Sequence, residues 1–177
     1  MGEPRRPATE AEAKALASGL RLRILRLCLD EALTNKEIAA RLGAHPATTL
    51  HHVRTLVTTG FLAAQGERRG TRGAREIPYR ATGKSWHVSI GGTGARAAAR
   101  NRAMIDAFLR EIQLVEEQEQ DKVHLTRMAL RVDPAELAGF LKRMDALFEE
   151  YKQRRPDPAG DPVSIFFAVH PDVGRST

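Results

Sequence analysis

The sequence predicts an α+β fold: a basic head of short helices closed by a β-hairpin, then a long amphipathic helix and a small strand–helix–strand module. Three observations predict it. Apolar residues recur at helical spacing in successive short stretches between residues 9 and 59, each bounded by cap and stop signals. A glycine-punctuated basic segment then separates two strand-like runs. The charge is also split: residues 1–90 carry 15 Lys and Arg against 8 Asp and Glu, whereas residues 91–177 carry 13 against 14. The whole net charge of +6 therefore comes from the first half, the pattern of a polyanion-binding head joined to a module with another task.

Taken in order, residues 1–8 hold Pro4, Arg5, Arg6 and Pro7 and read as a disordered tail. The head spans residues 9–83. Its first helix covers 9–17, with Glu10 and Glu12 in the dipole-favoured first turn, and Ser18-Gly19 ends it. Residues 20–29 follow with Leu22, Ile24, Leu25 and Leu29 on one side. Thr34 and Glu37 form a capping box for a helix over 35–42, which buries Ile38, Ala39 and Leu42 and stops at Gly43. Pro46 opens the next helix, over 46–59, with Leu50, Val53, Leu56 and Val57 assigned to the core. Strands are expected over 61–65 and 74–82, and the tip between them is Gly66 to Gly73. Residues 84–94 form a Gly-rich linker, with a short strand expected at 87–90. Residues 95–177 hold a long helix over 95–120, a strand over 123–132, a helix started by Asp133, Pro134 and Glu136, and a last strand over 163–169.

Composition narrows the function classes. Cys28 is the one cysteine, which excludes an intramolecular disulfide and fits a reducing compartment. The N-terminus has no apolar signal region, and no apolar run approaches the ~20 residues that span a bilayer. The expectation is a cytoplasmic protein with no membrane contact. No carboxylate pair, nucleophile–base set or phosphate loop stands out, so it is not expected to be an enzyme and no cofactor is called for. Gly92-Thr93-Gly94-Ala95-Arg96-Ala97 matches a dinucleotide fingerprint. The helix that follows is too long for a compact βαβ unit of ~30 residues, so the glycines read as a hinge.

Helices joined by a tight turn and followed by a β-hairpin have the order of a winged helix-turn-helix. A major groove ~12 Å wide admits one helix, which needs a braced neighbour to hold it there. The helix over 35–42 is the brace, and Gly43-Ala44-His45 is the turn. If the apolar residues of the next helix face the core, Ala47, Thr48, His51, Arg54 and Thr55 face outward, with His52 at the edge. That surface has no acid; it offers hydroxyl and imidazole groups to base edges and a cation to phosphate. Arg68, Arg69, Arg72 and Arg75 on the wing suit phosphate or minor-groove contact. A solvated helix face and a mobile loop are the plainer readings, and the two features together favour double-stranded DNA as the partner.

Three blocks carry a family resemblance. They are Ala15-Leu16-Ala17 with Arg21-Leu22-Arg23-Ile24-Leu25; Thr34-Asn35-Lys36-Glu37-Ile38-Ala39-Ala40-Arg41-Leu42-Gly43; and the stretch from Thr48 to Leu62 containing His52-Val53, Leu56 and Gly60-Phe61-Leu62. In these the chain resembles the ArsR-type winged helix-turn-helix transcriptional regulators over residues 15–62. The resemblance implies a homodimer that places its fourth helix in the major groove, and repression as the outcome. Metal-sensing members carry paired cysteines on the helix before the recognition helix, or Asp, His and Glu ligands on a C-terminal helix. Residues 35–42 hold no cysteine and residues 95–120 no histidine, so a metal site is not expected. Cys28, on a leucine-rich helix, reads as core.

The long helix carries one apolar stripe, Met104, Ile105, Phe108 and Ile112 with Val115, read as a dimer seam; packing within one chain is the competing use. The module over 123–169 either binds a small-molecule effector or enlarges the dimer interface. The alternative for the head is a winged-helix protein-interaction module, which the basic wing and acid-poor helix face disfavour.

Overall fold

The computed structural model describes residues 6–70, 75–89, 94–155, 157 and 159–175. Two compact units divide between Glu116 and Glu117.

In the first unit, α1 (Glu10–Leu16) begins at a Thr9 capping box with Glu12, and α2 (Gly19–Leu27) begins at Ser18. The strand β2 (Leu33–Thr34) leads directly into α3 (Asn35–Leu42). Thr34 caps α3, and the Glu37 carboxylate takes the Thr34 backbone N–H at 2.7 Å. Gly43 ends the helix at φ 59°, a left-handed conformation in which a Cβ would be strained. The recognition-helix candidate α4 (Pro46–Thr58) follows the three-residue turn Gly43-Ala44-His45. Strand β3 (Leu62–Ala64) pairs antiparallel with β6 (Pro78–Ala81), which pairs antiparallel with β2, in the order β2-β6-β3. The wing extends from this sheet as β4 (Arg68–Arg69) and β5 (Arg75–Glu76), with Arg68 opposite Glu76. Arg72 and the tip around it lie outside the described residues.

One core holds these elements together. Ile24, Cys28, Ile38, Val53, Leu56, Phe61 and Leu62 are fully or almost fully buried. Burying a large apolar side chain contributes roughly 1.5–3 kcal/mol, so this cluster outweighs any surface ion pair. Thr49 is buried where the sequence assigned Val57, which is exposed. The α4 stripe thus runs 49, 53, 56, one position round from the reading by apolar residues alone. Thr49 tolerates burial because its hydroxyl donates to the His45 carbonyl at 3.2 Å.

Three sequence expectations for this unit need correction. Residues 6–8 are ordered rather than part of a disordered tail: β1 (Arg6–Pro7) pairs parallel with β7 (Val88–Ser89). The stretch 84–94 is not simply a linker, because a 3₁₀ turn at Lys84–Trp86 and β7 dock onto the head; Ile90 and the glycines 91 and 92 lie outside the described residues. The long helix α5 (Gly94–Ile112) stops well short of residue 120. It packs against α2 in the same unit, whereas the sequence grouped it with the C-terminal module. Small residues permit this: a Cβ on Gly19 would meet the Ala103 carbonyl oxygen at 3.2 Å, and Ala103 and Ala107 are buried. Arg26 and Glu111 add an ion pair at 3.4 Å.

The second unit contains a 3₁₀ turn at Glu117–Lys122 and α6 (Pro134–Gln153), capped by Asp133 as its sequence predicts. The strands expected over 123–132 and 163–169 do not form. Their alternation is present, but a strand needs a ladder partner, and neither segment has one. Phe167 lies against α6 instead, 5.7 Å from the Phe148 ring and 6.2 Å from Phe140.

Candidate nucleic-acid interface

The N-terminus of α4 is built by its neighbours. The His45 imidazole Nδ1 accepts the Ala47 backbone N–H at 3.2 Å, so His45 is the helix cap and not a free reading group. The Asn35 amide donates to the Pro46 carbonyl at 2.9 Å and ties the start of α3 to the start of α4. The Asn35 Oδ1 is buried without a hydrogen-bond partner. Sequence reasoning missed this brace, whose only signal is an amide side chain directly after the Thr34 cap.

With Thr49, Val53 and Leu56 turned inward, Ala47, Thr48, His51 and Arg54 are exposed together on one face of α4. The helix has no acidic residue. Thr55 is half-buried and its hydroxyl donates to the His51 carbonyl at 3.0 Å, which leaves its methyl as the group it presents. His52 is half-buried beside Arg21, 3.4 Å from the guanidinium. Burial, and after it the Arg21 charge and His51, push its imidazole below the usual histidine range. Arg21 is itself fixed by the Lys14 carbonyl at 2.7 Å and the Ala15 carbonyl at 2.5 Å. Arg21 therefore locks α1, α2 and α4 together, a role no sequence pattern marks.

The far end of α4 is held by a buried ionic hub that sequence reasoning also missed. The Glu12 carboxylate, 5% exposed, accepts from Arg6 at 2.7 and 2.9 Å, from the Thr9 backbone N–H at 2.8 Å and from Lys84 at 2.7 Å. Arg6, then Lys84, then the Thr9 amide hold its pKa far below the usual carboxylate range. Lys84 donates onward to the Thr59 carbonyl at 2.6 Å and sits over the Phe61 ring. The last turn of α4 is thereby fastened to α1.

On the wing, Arg68 is engaged by two carboxylates, Glu37 on α3 at 2.5 Å and Glu76 at 3.6 Å. Arg75 lies 3.6 Å from Glu67. Arg69 and Arg54 are exposed and make no ion pair among the described residues. The wing's positive charge is therefore partly neutralised, with Arg68 clamping the wing to α3.

On α5, the small residues face α2, and Met104, Ile105 and Leu109 are 44%, 44% and 47% exposed. Phe108 and Ile112 are half-buried; Val115 lies beyond the helix end. Cys28 is fully buried, and burial pushes its thiol up to about 11. No helix among the described residues is long and apolar enough to cross a membrane.

Residues 22–66 match the IclR helix-turn-helix domain. No curated protein matches the chain. Among solved structures, the chain is similar to reduced HlyU from Vibrio cholerae at 20% identity and a TM-score of 0.35, covering 56% of this chain and 84% of that one. It is also similar to the homodimeric winged helix-turn-helix DNA-binding domain of Mb0332 from Mycobacterium bovis, a possible ArsR-family transcriptional regulator. That likeness is 23% identity and a TM-score of 0.34, over 65% of this chain and 82% of that one. RV1404 from Mycobacterium tuberculosis matches at 16% identity and a TM-score of 0.30, over 84% and 85%. These likenesses are shallow, and the domain match bears most directly on the head. It supports the coarser part of the sequence resemblance, a winged helix-turn-helix regulator, and not the ArsR type in particular. The α3-turn-α4 pair followed by its β-hairpin has the arrangement of a winged helix-turn-helix, and α3, α4 and β3 lie within the stretch that matches the IclR helix-turn-helix domain.

Proposed function

We propose that the chain is a sequence-specific transcriptional repressor that binds operator DNA as a homodimer. The observation that carries this reading is the α4 face: Ala47, Thr48, His51 and Arg54 are exposed side by side without an acid, while the opposite face is locked in the core. In the proposed complex Thr48 and His51 meet base edges, Thr55 offers its methyl, and Arg54 and Arg69 meet phosphates. His52 positions α4 through Arg21 and does not read bases. Arg68 orients the wing, and Arg75 on β5 adds a further cation for phosphate, as the sequence expects of Arg72. The seam of the dimer is the exposed α5 stripe of Met104, Ile105 and Leu109 with Phe108 and Ile112. A soluble chain rarely leaves such a patch open, and two-fold symmetry would set half-sites about 34 Å apart or a multiple of that.

Within this reading the C-terminal module has two candidate roles, effector binding and extension of the dimer. Its lack of buried apolar residues favours the second. Repression and the ArsR-type kinship are the finer parts of the proposal.

The test is selection of binding sites from random duplex DNA, followed by a salt titration on the winning site. The logarithm of affinity should fall linearly with the logarithm of salt, with a slope near −0.9 per phosphate contacted. Thr48→Ala and His51→Ala should relax base preference with the slope unchanged. Failure to retain any duplex at low ionic strength rejects the reading in favour of a protein-interaction module. Met104→Asp with Ile105→Asp should yield a monomer by light scattering; an undisturbed dimer rejects the seam.

A further inference from the structure

The wing has two faces of different character. In its ladder Arg68 stands opposite Glu76, and Arg69 stands opposite Arg75. Neighbouring residues on a strand point to opposite faces. One face therefore carries Arg68 and Glu76 and reaches Glu37 of α3, while the other carries two arginines abreast. Opposite charges across a ladder attract and like charges repel, so the first face is closed on itself and the second is open to an anion. On that second face Arg69 is exposed, and Arg75 has Glu67 at 3.6 Å.

The closed face is fixed at three points. The Glu37 carboxylate is held on its Oε2, which accepts the Thr34 backbone N–H at 2.7 Å and the Thr34 hydroxyl at 2.9 Å. That leaves Oε1 for the Arg68 guanidinium at 2.5 Å. Glu76 lies 3.6 Å from the Arg68 Nε, so the two carboxylates engage different nitrogens of one guanidinium. Gly70 supplies the space: a Cβ there would overlap the Glu76 side chain. The Gly70 backbone is not left-handed, so its missing side chain serves this approach and not the turn.

We propose that Glu37 and Glu76 are positioning residues that determine how selectively the head binds DNA. Together they hold Arg68 against α3. The wing then meets the duplex at a set angle with its Arg69–Arg75 face, and one cation is withheld from the phosphates. The inference deepens the operator reading above and rests on it. Exposed ion pairs contribute little to stability, so the core holds the head with or without this latch, and what the latch sets is direction. Phosphate contacts carry no sequence information of their own. A freed Arg68 adds a contact that every duplex offers, and it releases the wing from the angle that keeps α4 in register.

The test is a salt titration of the full chain on its selected site and on random duplex, for Glu37→Gln, Glu76→Gln and Gly70→Ala. Glutamine still completes a capping box, so Glu37→Gln keeps the start of α3. Gly70→Ala displaces Glu76 from Arg68 without changing any charge. Each variant should melt as the native chain does, which shows an intact head. Each should steepen the salt slope on random duplex by up to about 0.9, the value of one added phosphate. Preference for the selected site over random duplex should fall at least about threefold. Native slopes and native preference in the two glutamine variants overturn the proposal. So does a change in those two that Gly70→Ala does not share, because charge alone then accounts for it. A native chain that retains no duplex defeats the operator reading and this one with it, whereas native binding with unaltered variants defeats this one alone.

Discussion

Glu12→Gln tests whether the head is tied together by its buried carboxylate. Glutamine keeps the volume and can still accept the Thr9 backbone N–H, so the perturbation removes the charge and little else. The structure shows what is lost: charge-assisted bonds from Arg6 and from Lys84, both at 2.7 Å, on a carboxylate only 5% exposed. Hydrogen bonds to a charged group contribute about 1.5–3 kcal/mol, and breaking a fully buried pair costs more. Lys84 and Arg6 retain 30% and 49% of their side-chain exposure, so water takes over part of their solvation. That discount leaves a loss of about 2 kcal/mol for Glu12→Gln. For a unit of this size it lowers Tm by roughly 8 °C, read by thermal circular dichroism at pH 7.

The pH dependence gives a second reading with a fixed sign. Glu12 has a folded pKa depressed below its ordinary value of 4.5. Its contribution is therefore complete above that value and is lost as the pH falls below it toward the folded pKa. The native and Gln chains should differ fully at pH 7 and converge progressively below about pH 4.5. Melting curves that coincide at pH 7, or a gap that is the same at pH 7 and pH 3, would refute the hub.

Thr34→Ala removes the α3 cap and should cost about 1 kcal/mol in urea unfolding; a neutral result means that Glu37 alone holds the helix start. Gly43→Ala meets no atom within 4 Å but must adopt φ 59°, so it should cost about 1 kcal/mol from conformation alone, and a stabilised variant would contradict that. With its pKa near 11, Cys28 should resist a thiol reagent at pH 8 in the native chain and react once urea unfolds it; rapid native labelling would place it at a surface. Arg69→Ala should reduce the salt slope of DNA binding by about 1, whereas Arg68→Ala should lower affinity with a smaller change in slope because Glu37 and Glu76 already engage Arg68.

The head was legible because its signals are local. A cap at Thr34, a stop at Gly43, a proline at the start of α4 and apolar spacing along each helix act within one or two turns. The sequence alone therefore determined the order of helices, the wing and the acid-free face of α4. Where a signal depended on a partner distant in the chain, it failed. Alternation over 123–132 and 163–169 specifies which side of a strand is apolar but cannot supply the second strand. The apolar count along α4 pointed to Val57, and the core took Thr49 because its hydroxyl could be satisfied by the preceding turn.

Only the tertiary structure decided which charges are free. Four wing arginines look alike in sequence, yet Arg68 is engaged by an acid 31 residues away while Arg69 is not. Glu12 looks like a helix-start acid, and becomes a hub because Arg6 and Lys84 converge on it from opposite ends of the head. Propensity and capping are properties of neighbouring residues and can be read along a chain. Burial and ion pairing depend on which distant groups the fold brings within a few ångströms, and no local pattern records that.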